Sequence, residues 1–266
     1  MKWRSIVAAM ALLAAVPTSA QTVAQSPALP TADDGDDIIV EALRIPREKL
    51  PVQVRWNYFT MLRARTSYER SEMFVRCAKK FVPIGSLRTI VDGRPNGAQA
   101  RYALGRLVNA SRSCYPGAGA FTLAPHLPDI GGSQFDRGAI LEYVLRTYAP
   151  DAKLTMADME DLTVRARFRK TESRRNALRF AADYDALVVS ACLVRVEPVL
   201  ATRLVRSDPR SDLERGLMQT MLVQGRACLG GTDRVVIDPT SFRIYVLDAF
   251  YRWVVAARGV PTLIVG

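Results

Sequence analysis

Four sets of side chains in this chain have the types and spacing to do chemistry. The first is the cysteines Cys77, Cys114, Cys192 and Cys228. Thiols can catalyse redox exchange, hold a metal or form bridges. None of the four sits in a Cys-x-x-Cys pair, so a thioredoxin-like motif is absent. Zinc is disfavoured too, because there is no short ligand pair and only one histidine. Structural disulfides remain. The second candidate is that histidine, His126, in Ala124-Pro125-His126-Leu127-Pro128. A general base needs a nucleophile or substrate proton within hydrogen-bond reach. Ser133 is near in sequence, but Gly131-Gly132-Ser133 is not a nucleophile elbow. The third set, Asp158, Glu160 and Asp161, offers carboxylates and reads as a solvated charged cluster. The fourth is the cationic series Arg165, Arg167, Arg169, Lys170, Arg174 and Arg175, a candidate patch for an anionic ligand whose plain alternative is a solvated charged face. Glycine-rich phosphate loops are absent, and no cofactor is implied.

The compartment decides how the thiols behave. Lys2 and Arg4 precede an apolar run from Ile6 to Val16, then Pro17 and small residues ending at Ala20. Basic, apolar and small-residue regions in that order form a secretory signal peptide. The apolar run is shorter than the roughly 20 residues that span a bilayer. Cleavage is expected after Ala20, leaving Gln21 first in a periplasmic or secreted chain without a transmembrane span. In an oxidising compartment an even set of cysteines forms bridges. The whole chain has 37 basic and 26 acidic residues. Losing Lys2 and Arg4 leaves 35 against 26, a net charge of +9. Such a surface attracts anionic lipids, lipopolysaccharide or cell-wall polymers; nucleic acid is not an expected partner outside the cytoplasm.

The elements that must position these groups show an internal repeat. With Cys77 placed over Cys192, Pro83 falls on Pro198 and Arg88 on Arg203. After a one-residue gap, Pro95 matches Pro209, Arg101 matches Arg215, Arg112 matches Arg226 and Cys114 matches Cys228. A glycine-containing loop follows in both copies. It leads to Ala139-Ile140-Leu141-Glu142-Tyr143-Val144-Leu145-Arg146 in one and Tyr245-Val246-Leu247-Asp248-Ala249-Phe250-Tyr251-Arg252 in the other. Both copies read as helices. Tyr184, Leu187, Val188, Ala191 and Cys192 recur at helical spacing, as do Leu213, Leu217, Met221 and Cys228. Phe74, Cys77 and Phe81, then Ala103, Leu107, Ala110 and Cys114, do the same in the first copy. Ser211 and Glu214 form a capping box. Four cysteines allow three pairings; the repeat favours the local one, Cys77 with Cys114 and Cys192 with Cys228. The expected fold is mainly all-α: two tandem disulfide-stapled helical repeats packed as one domain, with room for short strands.

The expected organisation is a signal peptide over 1–20, a disordered tail over 21–37, an N-terminal extension over 38–69, repeat 1 over 70–150, a connector over 151–181, repeat 2 over 182–257 and a C-terminal tail over 258–266. Asp37-Ile38-Ile39-Val40-Glu41-Ala42 resembles a TonB box, an extended peptide able to add a strand to a partner's sheet; its plainer reading is an extended segment packed on the helices. Trp56, Tyr58, Phe59, Met61 and Tyr68 lie among arginines, where a helix or turn covering the core is expected, with an aromatic-basic ligand surface as the alternative. Within the connector, Val164, Ala166 and Phe168 alternate with Arg165, Arg167 and Arg169. Period-two alternation suggests a strand with a basic outer face, with a continued helix as the alternative.

Cys192, Pro198, Ser207-Asp208-Pro209-Arg210-Ser211, Cys228 and the segment Arg243 to Arg252 together resemble a group of exported Gram-negative proteins. In these a cysteine-bearing helix leads to proline, an Asp-Pro-x-Ser turn, an amphipathic helix ending in cysteine and an arginine-containing closing helix. The resemblance covers roughly residues 70–257, and the first copy departs from it at Asp92-Gly93-Arg94-Pro95-Asn96. It implies architecture and compartment, with no activity attached. The expected function is a non-catalytic envelope binding or scaffold protein, whose partner is an envelope protein or an anionic envelope polymer. The alternatives are an envelope hydrolase using His126 or clustered carboxylates, and a TonB-linked accessory protein.

Overall fold

A computed structural model describes residues 51–79, 82–114, 134–232 and 234–265. Strand β1 (Gln53–Trp56) leads into α1 (Tyr58–Ala78), α2 (Ile84–Asp92) and α3 (Ala98–Ala110), and a 3-10 turn then carries Cys114. Helix α4 (Gln134–Tyr148) follows, then α5 (Met156–Glu160) and α6 (Leu162–Arg175). The second series is α7 (Ala181–Val196), α8 (Pro198–Arg206), α9 (Asp212–Gln224), a 3-10 turn carrying Cys228, strand β2 (Arg234–Ile237) and α10 (Pro239–Arg258). The two strands pair in parallel, with Gln53 opposite Arg234 and Trp56 opposite Ile237.

The two series repeat the same order: a cysteine-bearing helix, a short helix, a longer helix, a turn with the second cysteine and a closing helix. The bridges are the local ones, Cys77–Cys114 and Cys192–Cys228, with Cα atoms 5.4 and 5.7 Å apart, inside the range a disulfide requires. Cys77 itself is exposed rather than on the buried side of its helix.

Local chemistry explains the element ends. Pro198 stands at the first turn of α8, where its missing N–H costs nothing and its φ suits a helix. Asp238 caps α10 by accepting from the Ser241 amide, and Pro239 follows it. Gly259, at φ 64°, closes α10 in the left-handed region that favours glycine. Ser211 accepts from the Glu214 amide as expected, but the Glu214 carboxylate takes the Arg210 amide instead of closing the box. A complete box stands elsewhere, between Thr155 and Asp158 at the start of α5.

Helix α10 is the hub. It packs against α4, α7, α6 and α8, and Val246, Leu247, Ala249 and Tyr251 have no exposed surface. Full burial of Val246 and Leu247 contributes about 1.5–3 kcal/mol each relative to exposure. Helix α1 packs on α4 as α7 packs on α10. It begins at Tyr58, inside the stretch expected as an extension, and buries Tyr68. The side chains of Trp56, Tyr58 and Phe59 lie outside the description. The residues after α10 fold back: Leu263 and Ile264 are buried, and the Ile264 carbonyl accepts two hydrogen bonds from Arg88. Leu213 and Ala110, expected on apolar faces, are exposed. No helix among the described residues is long and apolar enough to cross a membrane.

The series 161–170 is helical, which corrects the strand expectation. Asp161 accepts from the Thr163 and Val164 amides and starts α6. Helix capping therefore overrides a short alternation that has no neighbouring strand to pair with. Asp158 and Asp161, expected as a solvated cluster, both cap helices.

Candidate functional site

Two arrangements of charged groups stand out, one inside the protein and one at its surface. The inner one lies where α4 crosses α10, with Gly138 facing Ile244. Each helix carries an arginine and, further along, an acid: Arg137 and Glu142 on α4, Arg243 and Asp248 on α10. The pairing is exchanged between helices. Arg243 bonds Glu142 at 2.8 Å, and Arg137 reaches Asp248 at 3.4 Å. Arg137 also donates to the carbonyls of Ile90 and Val91, and Arg243 to those of Leu204 and Val205. These carbonyls correspond with the same step along the chain as Pro95 and Pro209. The one-residue gap between the two series therefore falls before the short helices, and Arg88 stands opposite Thr202 rather than Arg203.

Each acid is saturated with partners. Asp248 faces Arg175 at 3.1 Å, Arg252 at 3.7 Å and Arg179 besides Arg137. Burial raises its pKa, but these four guanidiniums outweigh it and hold the carboxyl well below the usual range. Burial likewise raises Glu142, and Arg243, Arg146 and the Tyr68 hydroxyl reverse the sign. Arg175 is pushed down to about 9 by burial and by Arg252, against the pull of Asp248. Groups locked in one ionisation state hold charge rather than shuttle protons, so this cluster fastens the two series together.

The surface arrangement involves the cationic residues of α6 and splits them. Arg175 is buried in the inner cluster. Arg167 donates to the Ala256 carbonyl near the end of α10. Lys170 and Arg174 are exposed. Arg165 and Arg169, one turn apart, line a groove of about 490 Å³ between α6 and α7, with Arg195 on the opposite side. Its floor includes Phe168 stacked on Trp253, ring centroids 3.8 Å apart and planes 6° from parallel. The indole N–H of Trp253 donates to the Ala191 carbonyl and fixes that ring. Tyr184 and Val188, 44% and 47% exposed, stand at its edge. Arg165, Arg169 and Arg195 have no acidic partner among the described residues.

The sequence missed the groove. Its signal was the width of the apolar face of α7, where Tyr184 and Val188 extend beyond what the core covers. No group of three or more metal-ligating side chains stands together among the described residues. His126, Ser133, the segment Asp37 to Ala42 and the expected signal peptide and tail lie outside them. No family model, no curated protein and no solved structure matches the chain.

Proposed function

We propose that this chain is an exported, non-catalytic cell-envelope protein that binds an anionic envelope molecule through the groove between α6 and α7. The observation that carries this reading is the triad Arg165, Arg169 and Arg195, unneutralised and set around an apolar aromatic floor. Unpaired guanidiniums bind phosphate or carboxylate strongly, while the Phe168–Trp253 floor accepts an apolar portion. Export is supported by the ordered basic, apolar and small-residue regions of residues 1–20 and by two bridges that need an oxidising compartment.

Sedimentation with phosphatidylglycerol and phosphatidylcholine vesicles, and with lipopolysaccharide, tests the reading. Binding to the anionic surfaces alone is expected, weakening as salt rises. The triple variant Arg165→Glu, Arg169→Glu, Arg195→Glu should lose it while retaining the helical circular dichroism of the parent. Equal binding by the triple variant, or equal binding to the zwitterionic vesicles, rejects the proposal. N-terminal sequencing of the exported chain should read from Gln21.

A further inference from the structure

The two series are alike enough that a difference between corresponding positions can be read as a vacancy. Around Glu142, two side chains complete the buried cluster: Tyr68 donates its hydroxyl to Glu142, and Glu214 pairs with Arg243 at 3.0 Å. Glu214 is the third residue of α9; the third residue of α3 is Ala100. Tyr68 precedes Cys77 by the same number of residues as Asp183 precedes Cys192. The cluster around Asp248 therefore has alanine where its counterpart has a carboxylate, and a short aspartate where it has a ring.

The place of the Tyr68 hydroxyl is filled. The Arg179 guanidinium, held by Asp183, donates to Asp248. The place of the Glu214 carboxylate is not filled. A cavity of about 260 Å³ opens there, lined by Ala100, Arg101, Arg137, Tyr245 and apolar side chains including Leu104 and Phe180. Arg243 holds Glu214 through its Nη1, whereas Nη1 of Arg137 donates only to the Ile90 carbonyl among the described residues, and the buried Nε of Arg137 has no hydrogen-bond partner among them. Arg101 has no acidic partner among the described residues, whereas its counterpart Arg215 pairs with Asp212. The cationic lining groups Arg101, Arg137 and Arg179 outnumber the acids Asp183 and Asp248.

We propose that this cavity binds a small monocarboxylate with a short apolar body, whose carboxylate occupies beside Arg137 and Arg101 the position that Glu214 occupies beside Arg243. The apolar walls lower the local dielectric and strengthen the charge-assisted hydrogen bonds. The cavity volume limits the body to about the size of one ring or a short alkyl chain.

Isothermal titration of the full chain with benzoate and hexanoate, against the neutral isostere benzamide, tests the site. The carboxylates should bind, and benzamide at least about tenfold more weakly, as expected for losing the charge in a guanidinium pair. Ala100→Glu supplies the missing carboxylate internally and should abolish benzoate binding with no fall in thermal midpoint. Arg101→Gln, at an exposed position, should keep the fold and weaken benzoate several-fold. The triple glutamate variant of the α6–α7 groove should bind benzoate as the parent does. Binding of benzamide as tight as that of benzoate, unchanged affinity in Ala100→Glu or in Arg101→Gln, or no carboxylate binding at millimolar concentration overturns the proposal.

Discussion

Replacing Asp248 with asparagine keeps the side chain's shape and removes its charge from the middle of four guanidiniums. Asp248 is 3% exposed and lies 3.1 Å from Arg175, 3.4 Å from Arg137 and 3.7 Å from Arg252, with Arg179 also bonded to it. The neighbouring acids are Glu172 (3.4 Å from Arg175), Asp183 (3.1 Å from Arg179) and Asp92 (3.1 Å from Arg252). After the change these three face four cations, of which Arg175 and Arg252 are buried. Breaking a buried pair in this way costs about 3–5 kcal/mol, because the surviving charges stay buried. A typical domain has only about 5–15 kcal/mol to lose. The folded-state pKa of Asp248 is depressed, so its contribution is complete above the unfolded carboxylate's value near 4 and disappears as pH falls through the depressed folded value. Urea unfolding of Asp248→Asn, followed by far-UV circular dichroism at pH 7, should show that loss. Between pH 4 and pH 2 the variant should lose stability less steeply than the parent. A loss below about 1 kcal/mol at pH 7, with an unchanged acid limb, would refute the argument that this carboxylate holds the cluster together.

Three further outcomes are expected. Cys192→Ala with Cys228→Ala opens a loop whose ends are separated by 36 residues, which should destabilise by about 4 kcal/mol on the chain-entropy account; urea midpoints with and without reductant measure it. Gly138→Ala places a Cβ 2.6 Å from the Ile244 Cγ1, so it should cost about 1–3 kcal/mol despite alanine's better helix propensity. With Ile244→Ala added, the double variant should lose less than the two single losses combined, and thermal unfolding of all four proteins gives that coupling. Trp253→Phe should weaken binding to phosphatidylglycerol vesicles without changing the salt dependence, since the arginines are untouched; an altered salt slope in sedimentation would count against that division of labour.

The sequence was most legible where local rules act alone. Cysteine placement led to both bridges, and Pro198 and Ser211 marked helix starts that the structure keeps. It was least legible where a residue's partner lies far along the chain. Arg175 reads as one of six surface cations, yet it is buried because Asp248 and Glu172 await it. Arg243 and Glu142 look like ordinary helix charges; nothing in their own neighbourhoods says that they meet across 101 residues. Alternation over Val164 to Arg169 imitated a strand because arginine is compatible with either period, and the deciding signal was a single cap at Asp161. The groove went unseen because an exposed Tyr184 and Val188 are indistinguishable, by type, from core residues. The missing carboxylate at the cavity beside Arg137 became visible only through comparison of Ala100 with Glu214.

The exchanged arginine pairs also bear on how the chain is made. Arg137 reaches its counter-ion 111 residues later, and Arg243 closes on an acid synthesised long before it. A nascent chain halted after its first bridge would have to bury a bare cation at Arg137 or leave its closing helix undocked. The first half thus lacks the acid that neutralises its own Arg137, and receives it only once the last helix has been made.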